Sequence, residues 1–128
     1  MKLLLDTHVF LWWIADAEPL SETARELIAD GRNTLHWSAA SSWEIAIKYA
    51  LGRLPLPEPP EEFLPQELAK NRFQSLPIKD VHAFRVGHLP PHHGDPFDRM
   101  LIAQSQVESM VLLSSDRKFS LYDVEVRW

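Results

Sequence analysis

Short apolar segments that alternate with helical patterns constrain the fold of this chain more than any other feature. The first segment, residues 2–5, is apolar at consecutive positions, which is typical of a strand buried on both faces of a parallel sheet. Further segments that we interpret as strands lie at residues 34–37, 73–76, 111–113 and 124–128. We therefore expect a central sheet whose strands run mainly parallel.

Helical patterns occupy the intervals between these segments. They lie at residues 9–16, 22–30, 41–51, 61–70, 80–86 and 96–107. Ser21 and Asp95 are predicted N-caps, Pro96 suits a first helical position, and Gly31 and Gly52 are predicted helix stops. Strands that alternate with helices imply right-handed crossovers and a single three-layer α/β/α domain over residues 1–128.

Composition excludes several classes of protein. The absence of cysteine excludes disulfide scaffolds, thiolate zinc sites and cysteine nucleophiles. The 13 lysines and arginines against 18 aspartates and glutamates give a net charge of −5, the wrong sign for a protein that coats nucleic acid nonspecifically. Asp6 interrupts the opening apolar run, and no later stretch approaches the roughly 18 apolar residues of a membrane span. We expect a soluble, cytoplasmic protein.

Four acidic residues from distant parts of the chain are predicted to meet at one edge of the sheet. Asp6 directly follows the first strand, and Asp116 follows the strand at residues 111–113 after two serines. Glu44 and Asp98 fall in the first turns of predicted helices that begin at the same edge. In open parallel sheets, ligands bind in the crevice beyond the carboxyl ends of the strands.

Acids that meet in this way require a cation or a proton. Two unit charges about 4 Å apart repel by about 4 kcal/mol at an effective dielectric constant near 20. Carboxylates without thiolates form a hard oxygen site, which suits magnesium or manganese (Mg²⁺ or Mn²⁺). Such an ion activates water and stabilises charge on a phosphodiester, so phosphodiester hydrolysis is the reaction that the pattern favours.

Helix capping explains each acid about as well when it is taken alone. Asp6 and Asp116 would begin the helical turns that follow them, and Asp98 would interact favourably with a helix dipole. Glu44 would complete a capping box with Ser41. Only the predicted shared location at one sheet edge favours chemistry.

Histidines and tryptophans offer further alternatives. His88, His92 and His93 lie near Asp95 in an assortment that could bind zinc, but their loop position favours surface histidines. The adjacent tryptophans at residues 12–13, and Trp43, could stack on nucleic-acid bases. Packing in the core or in a protein interface is the more common fate of such tryptophans, and we favour it.

Taken together, four blocks of residues resemble the PIN-domain ribonucleases, and specifically the VapC toxins of bacterial and archaeal toxin–antitoxin pairs. The blocks occur in the family's order and spacing, and the resemblance covers essentially the whole chain. They are Leu3-Leu4-Leu5-Asp6-Thr7-His8, the helix at residues 42–49 with Gly52-Arg53-Leu54, residues 93–104 with the core Asp95-Pro96-Phe97-Asp98-Arg99, and Leu112-Leu113-Ser114-Ser115-Asp116.

The resemblance implies a specific acidic site. It makes Asp6, Glu44, Asp98 and Asp116 the catalytic acids around magnesium or manganese. Thr7, Ser114 and Asp95 take supporting roles; many relatives have threonine at the position of Ser114, so the hydroxyl is kept. Asp95 is not a usual ligand of the family.

The resemblance also implies a substrate and partners. We expect cleavage of RNA by a metal-activated water, a homodimer, and inhibition by a small VapB-like antitoxin whose basic tail suits a chain of net charge −5. Trp12 and Trp13 become candidates for the antitoxin groove or the dimer surface. Basic residues near the site would contact RNA phosphates, and the candidates are Arg99, Lys48, Arg53 and Arg117.

Two other functions stay open. The first is a catalytically inactive PIN-like binding module whose acids only receive a partner's basic tail. The second is a magnesium-dependent phosphatase, because an aspartate after the first strand is also how aspartyl-phosphate enzymes begin. Those enzymes carry a second aspartate two residues later, where this chain has His8.

Overall fold

The computed structural model describes residues 1–128 and contains one five-stranded sheet in which every strand pair is parallel. The strands are β1 (Lys2–Leu5), β2 (Thr34–Ser38), β3 (Phe73–Leu76), β4 (Val111–Leu113) and β5 (Val126–Arg127). Their spatial order is β3-β2-β1-β4-β5, so β1 lies at the centre. The predicted parallel sheet is confirmed, although β5 is shorter than the predicted segment at residues 124–128.

Six α-helices connect the strands and pack on the sheet. They are α1 (Thr7–Ala15), α2 (Glu22–Ala29), α3 (Ala39–Ala50), α4 (Pro60–Lys70), α5 (Asp80–Val86) and α6 (Pro96–Glu108). A single 3-10 turn, Arg117–Leu121, follows β4. None of the helices has the length and apolarity that a membrane crossing requires.

The side chains of β1 divide the core into two parts. Leu3 and Leu5 belong to a cluster that includes residues of α1 and α2, whereas Leu4 belongs to a second cluster that includes residues of α6. All three leucines are fully buried. Because successive residues of a strand point to opposite faces, the two clusters lie on opposite faces of the sheet. Helices therefore cover both faces. This is the three-layer α/β/α arrangement that the sequence predicts.

Two predicted N-caps are confirmed. The Ser21 hydroxyl accepts a hydrogen bond from Ala24 N at 3.0 Å, at the start of α2. The Asp95 carboxylate accepts hydrogen bonds from Phe97 N at 2.8 Å and Asp98 N at 3.0 Å, at the start of α6. Each cap satisfies backbone N–H groups that have no partner within the helix.

The predicted start of α3 is wrong. This helix begins at Ala39, and the Ser38 hydroxyl caps it by accepting a hydrogen bond from Ala40 N at 3.0 Å. β2 therefore runs into α3 without a loop, because Ser38 ends the strand and also caps the helix. Ser41 lies inside the helix and Glu44 lies in its second turn, so the alternative of a Ser41–Glu44 capping box is excluded.

Candidate active site

All four predicted acids lie beside the carboxyl edge of the sheet. Asp6 directly follows β1 and its N–H donates to Leu113 O at 3.1 Å, which places it next to the end of β4. Asp116 begins the 3-10 turn after β4. Glu44 and Asp98 are carried by α3 and α6, and both lie close enough to Asp6 to interact electrostatically with it.

Asp6 is a buried acid that does not cap α1. It is 8% exposed, and although it occupies the N-cap position its side chain makes no capping hydrogen bond. Its Oδ2 instead accepts a hydrogen bond from the Ser114 hydroxyl at 2.8 Å. Burial raises the pKa of Asp6, while the Ser114 hydrogen bond and the nearby His8 act in the opposite direction. The capping explanation of this side chain is therefore wrong.

Hydroxyl groups orient Glu44 towards the same region. Glu44 is 6% exposed, and its Oε1 lies 2.8 Å from Thr7 Oγ1. Thr7 Oγ1 also lies 2.8 Å from Ser41 Oγ, so Ser41 donates to Thr7 when Thr7 donates to Glu44. Lys48 Nζ donates to Glu44 Oε2 at 2.6 Å from one turn along α3. Both oxygens of Glu44 therefore have a donor.

Asp98 carries the strongest electrostatic signal of the site. Burial raises the pKa of this carboxyl to about 8, and the negative charges of neighbouring acids add to the effect. Those acids are Asp6, Asp95, Glu44 and Asp116. Burial and the neighbouring negative charges both favour the neutral form of this carboxyl, and no positive side chain offsets them. The predicted crowding of acids is thus present.

Asp116 caps a helical turn and also lies close to the other acids. Its Oδ1 accepts a hydrogen bond from Lys118 N at 2.9 Å, so it caps the 3-10 turn. Its Oδ2 lies 3.1 Å from His93 Nε2, and its own N–H donates to Ser114 Oγ at 3.0 Å. The side chain is 35% exposed, the most open of the four acids. Capping and proximity to the other acids coexist at this residue.

His93 is a functional candidate that the sequence analysis considered in a possible zinc site but interpreted as a surface residue. The interpretation as a surface residue holds for the exposed His88 and His92 but is wrong for His93, which is 8% exposed. Its Nε2 lies 3.0 Å from Asp98 Oδ2 as well as 3.1 Å from Asp116 Oδ2. Its sequence signals were its place two residues before the N-cap Asp95 and at the start of the third family-like block, residues 93–104.

Arg99, the first of the predicted RNA contacts, uses its guanidinium inside the protein. It donates to the backbone carbonyls of Val86 at 3.1 Å, Leu89 at 3.3 Å, Pro90 at 3.0 Å and His93 at 3.3 Å. These contacts tie the loop before α6 to the helix. Arg99 thus has a structural role, whereas Arg53 and Arg117 are exposed.

The tryptophans divide into packed and exposed side chains. Trp12 and Trp13 are half-buried and pack against the core cluster of Leu3 and Leu5. Trp13 Nε1 donates to Asn71 Oδ1 at 3.0 Å. Trp43 is 58% exposed on α3 and meets Phe97 edge to face at 5.0 Å between ring centroids. The packing interpretation therefore holds for Trp12 and Trp13, whereas Trp43 is mostly exposed.

The donor set at this edge fits a hard divalent cation. Carboxylate oxygens dominate it and there is no thiolate, while the imidazole of His93 lies beside two of the acids. One imidazole nitrogen of His93 and one carboxylate oxygen each of Asp98 and Asp116 all lie within 4.8 Å of one another. The raised pKa of Asp98 gives a further reason, because a bound cation would offset the burial and the neighbouring negative charges that raise it.

Comparison with known proteins agrees with this architecture. The PIN domain family matches residues 3–125. Ribonuclease VapC22 of Mycobacterium tuberculosis (strain ATCC 25618 / H37Rv) is 31% identical over 116 residues, which cover 91% of this chain and 88% of that protein. Ribonuclease VapC16 of the same organism is 41% identical over 66 residues, 52% of this chain and less than half, 46%, of that protein.

Solved structures share the fold. A chain of VapBC2 from Rickettsia felis, bound to a DNA fragment from its promoter, superposes with a TM-score of 0.72 at 18% identity and covers 99% of this chain and 98% of that chain. A chain of DNA-bound VapBC from Salmonella typhimurium gives a TM-score of 0.72 at 16% identity, with 99% and 97% covered. The chain therefore belongs to the PIN-domain family, in which its matched curated relatives are VapC ribonucleases.

Proposed function

We propose that this protein is a metal-dependent endoribonuclease that acts as the toxin of a toxin–antitoxin pair. The observation that carries the proposal is the meeting of Asp6, Glu44, Asp98 and Asp116 at one sheet edge, with the pKa of Asp98 raised to about 8. Such a cluster is unfavourable without a cation, and a divalent cation among carboxylates is the usual equipment for phosphodiester hydrolysis.

The four acids would hold Mg²⁺ or Mn²⁺. When bound, the ion supplies an activated water and neutralises charge that develops on the phosphodiester. Ser114 holds Asp6 through a 2.8 Å hydrogen bond, and Thr7 holds Glu44 through another of 2.8 Å. Such donors keep carboxylates in a fixed orientation, which is the supporting role predicted for both hydroxyls.

Positive side chains at the rim would hold the RNA backbone. Arg53 and Arg117 are exposed, and Lys48 is half-exposed beside Glu44. Phosphate contacts of this kind supply most of the affinity that does not depend on sequence. Arg99 is the weakest member of the predicted set, because its guanidinium already donates to four backbone carbonyls. RNA as a substrate agrees with the cytoplasmic location that the sequence predicts.

A small VapB-like antitoxin is the proposed partner, and a homodimer is the proposed assembly. The structures with the same fold include toxin–antitoxin complexes from Rickettsia felis and Salmonella typhimurium. The net charge of −5 suits a basic antitoxin tail. Trp12 and Trp13 stay candidates for a partner surface, because both are only half-buried.

Metal-dependent RNA cleavage by the purified chain tests the proposal. We expect cleavage of single-stranded RNA with Mn²⁺ or Mg²⁺, none in excess EDTA, and recovery when Mn²⁺ is restored. A preparation that binds an antitoxin tightly but cleaves no RNA at any metal concentration would instead support the inactive binding module. The phosphatase alternative would require release of inorganic phosphate from a phosphomonoester under the same conditions.

A further inference from the structure

Both the backbone and the imidazole of His93 are held in place by contacts with other segments. Its backbone N–H donates to the Tyr122 hydroxyl at 2.7 Å, and its carbonyl accepts from Arg99 at 3.3 Å. The imidazole packs against the buried ring of Phe119, with 5.8 Å between ring centroids. The neighbouring residues His92 and Gly94 are both exposed, so the chain turns inward at His93 alone.

A backbone hydrogen bond determines the tautomer of this imidazole. Asp95 N donates to His93 Nδ1 at 3.2 Å, so Nδ1 acts as an acceptor and carries no proton. In neutral imidazole the proton then resides on Nε2. This is the nitrogen that lies 3.1 Å from Asp116 Oδ2 and 3.0 Å from Asp98 Oδ2. The imidazole therefore presents a donor to the acids.

A donor at Nε2 is incompatible with a metal bond from that nitrogen. Binding a cation through Nε2 needs its lone pair, so the proton would have to move to Nδ1. A proton on Nδ1 would point at the N–H of Asp95, and the hydrogen bond that fixes the imidazole would be lost. The proximity of His93 to two acids thus does not make it a ligand.

We propose that His93 is a positioning residue of this site, whose Nε2–H holds the carboxylate of Asp116 beside that of Asp98. The two acids come from different elements, α6 and the 3-10 turn after β4, and His93 contacts both. Carboxylates that ligate a metal are held by outer hydrogen bonds, and loss of such a partner typically costs about 10- to 100-fold in metal affinity. The inference rests on the proposed function.

Binding of Mn²⁺ alone, followed by electron paramagnetic resonance, separates the two roles without an activity measurement. We expect His93→Ala to weaken Mn²⁺ binding by about 10-fold or more, and His93→Gln, whose amide can donate from a similar position, to recover most of the loss. His92→Ala is the matched control, because His92 is exposed and packs only against Tyr122 among aromatic rings. It should bind Mn²⁺ like the unmodified chain. Circular dichroism of each variant checks the fold.

The nitrogen coupling of the bound ion supplies a second readout. In pulsed measurements on the unmodified chain, we expect no strong ¹⁴N coupling of the kind that a directly bound imidazole produces. Strong coupling that His93→Gln abolishes would overturn the inference and make His93 a ligand. Equal Mn²⁺ affinity in His93→Ala and the unmodified chain would also overturn it, while leaving the proposed nuclease intact. Failure of the unmodified chain to bind Mn²⁺ would overturn the proposed metal dependence as well.

Discussion

Two buried histidines make the same local arrangement at opposite ends of α6. His82 Nδ1 accepts a hydrogen bond from Lys79 N at 3.0 Å, as His93 Nδ1 does from Asp95 N at 3.2 Å. His82 Nε2 lies 2.7 Å from Glu108, the last residue of α6, whereas His93 Nε2 lies 3.0 Å from Asp98 in its first turn. In both places a backbone N–H makes the outer nitrogen a donor to a carboxylate.

The surroundings of the carboxylates separate the two sites. The hydrogen bond from His82 lowers the pKa of Glu108, and nearby lysines add to that shift. Burial and neighbouring acids instead raise the pKa of Asp98 to about 8, even though His93 is beside it. A histidine–carboxylate contact is therefore not in itself a sign of chemistry. The surplus of acids around the contact distinguishes the candidate active site from the contact at His82.

Removing one acid from the cluster should have the largest effect. Asp6→Asn keeps the shape of the side chain but removes one of the negative charges that we propose bind the cation. We expect RNA cleavage with Mn²⁺ to fall by about 100-fold or more, because a catalytic metal ion typically contributes several kcal/mol and about 1.4 kcal/mol corresponds to a factor of ten. Asp123→Asn, at an exposed acid, is the matched control and should retain full activity. Undiminished cleavage by Asp6→Asn would refute the role of the cluster.

The stability of the metal-free protein should fall as pH rises. The pKa of Asp98 is raised in the folded state, so its contribution is fully present below the ordinary value of 3.8 and is lost as pH rises through about 8. Each unit of difference is worth about 1.4 kcal/mol, which gives a loss on the order of a few kcal/mol. Asp98→Asn should reduce this pH dependence in urea unfolding with EDTA. If the free energy of unfolding of Asp98→Asn depends on pH as strongly as that of the unmodified chain, Asp98 is not the group responsible.

At the other end of α6, replacing His82 should lower the stability of the protein without weakening Mn²⁺ binding. His82→Ala leaves Lys79 N and Glu108 without their partner, so we expect a loss of about 1–3 kcal/mol in the free energy of unfolding. Mn²⁺ affinity, measured in the folded variant, should equal that of the unmodified chain. A marked loss of Mn²⁺ binding would remove the distinction between the two histidines.

Glu108→Gln should produce the smallest change. The pKa of Glu108 is lowered in the folded state, so its contribution is present above the ordinary value of 4.5 and is lost as pH falls through the lower folded value. Because Glu108 is partly exposed, we expect the variant to lose less than about 1 kcal/mol in the free energy of unfolding at pH 7, measured with urea. The difference from the unmodified chain should be smaller in acid. A larger loss of stability in acid than at pH 7 would contradict the expected direction of this pH dependence.

Local sequence signals were sufficient for the strands and for much of the acidic site. Consecutive apolar residues predict a strand buried on both faces, and Asp6 follows such a strand directly. Ser21 and Asp95 are predictable as caps because an N-cap is recognised by its own side chain and the helical pattern beside it. These features depend on residues that are neighbours in the chain.

Strand pairing decides where α3 begins. Ser38 and Ser41 both have side chains that can cap a helix, and the sequence alone favours Ser41 because Glu44 follows at the spacing of a capping box. In the structure, β2 pairs with β3 as far as Ser38, opposite Leu76. Ser38 therefore ends the strand and caps the helix, and Ser41 becomes a partner of Thr7. Long-range hydrogen bonds between strands carry no local signal.

His93 and Arg99 show the same limit at the site itself. The sequence presents His93 as one of several loop histidines and Arg99 as a free cation beside Asp98. Their partners, Asp116 for the first and the carbonyls before α6 for the second, meet them only when the loop is packed against the helix and the turn after β4. Apolar patterning and chain neighbours thus predict the sheet and its acids, whereas burial and contacts between distant segments assign the roles of the side chains around them.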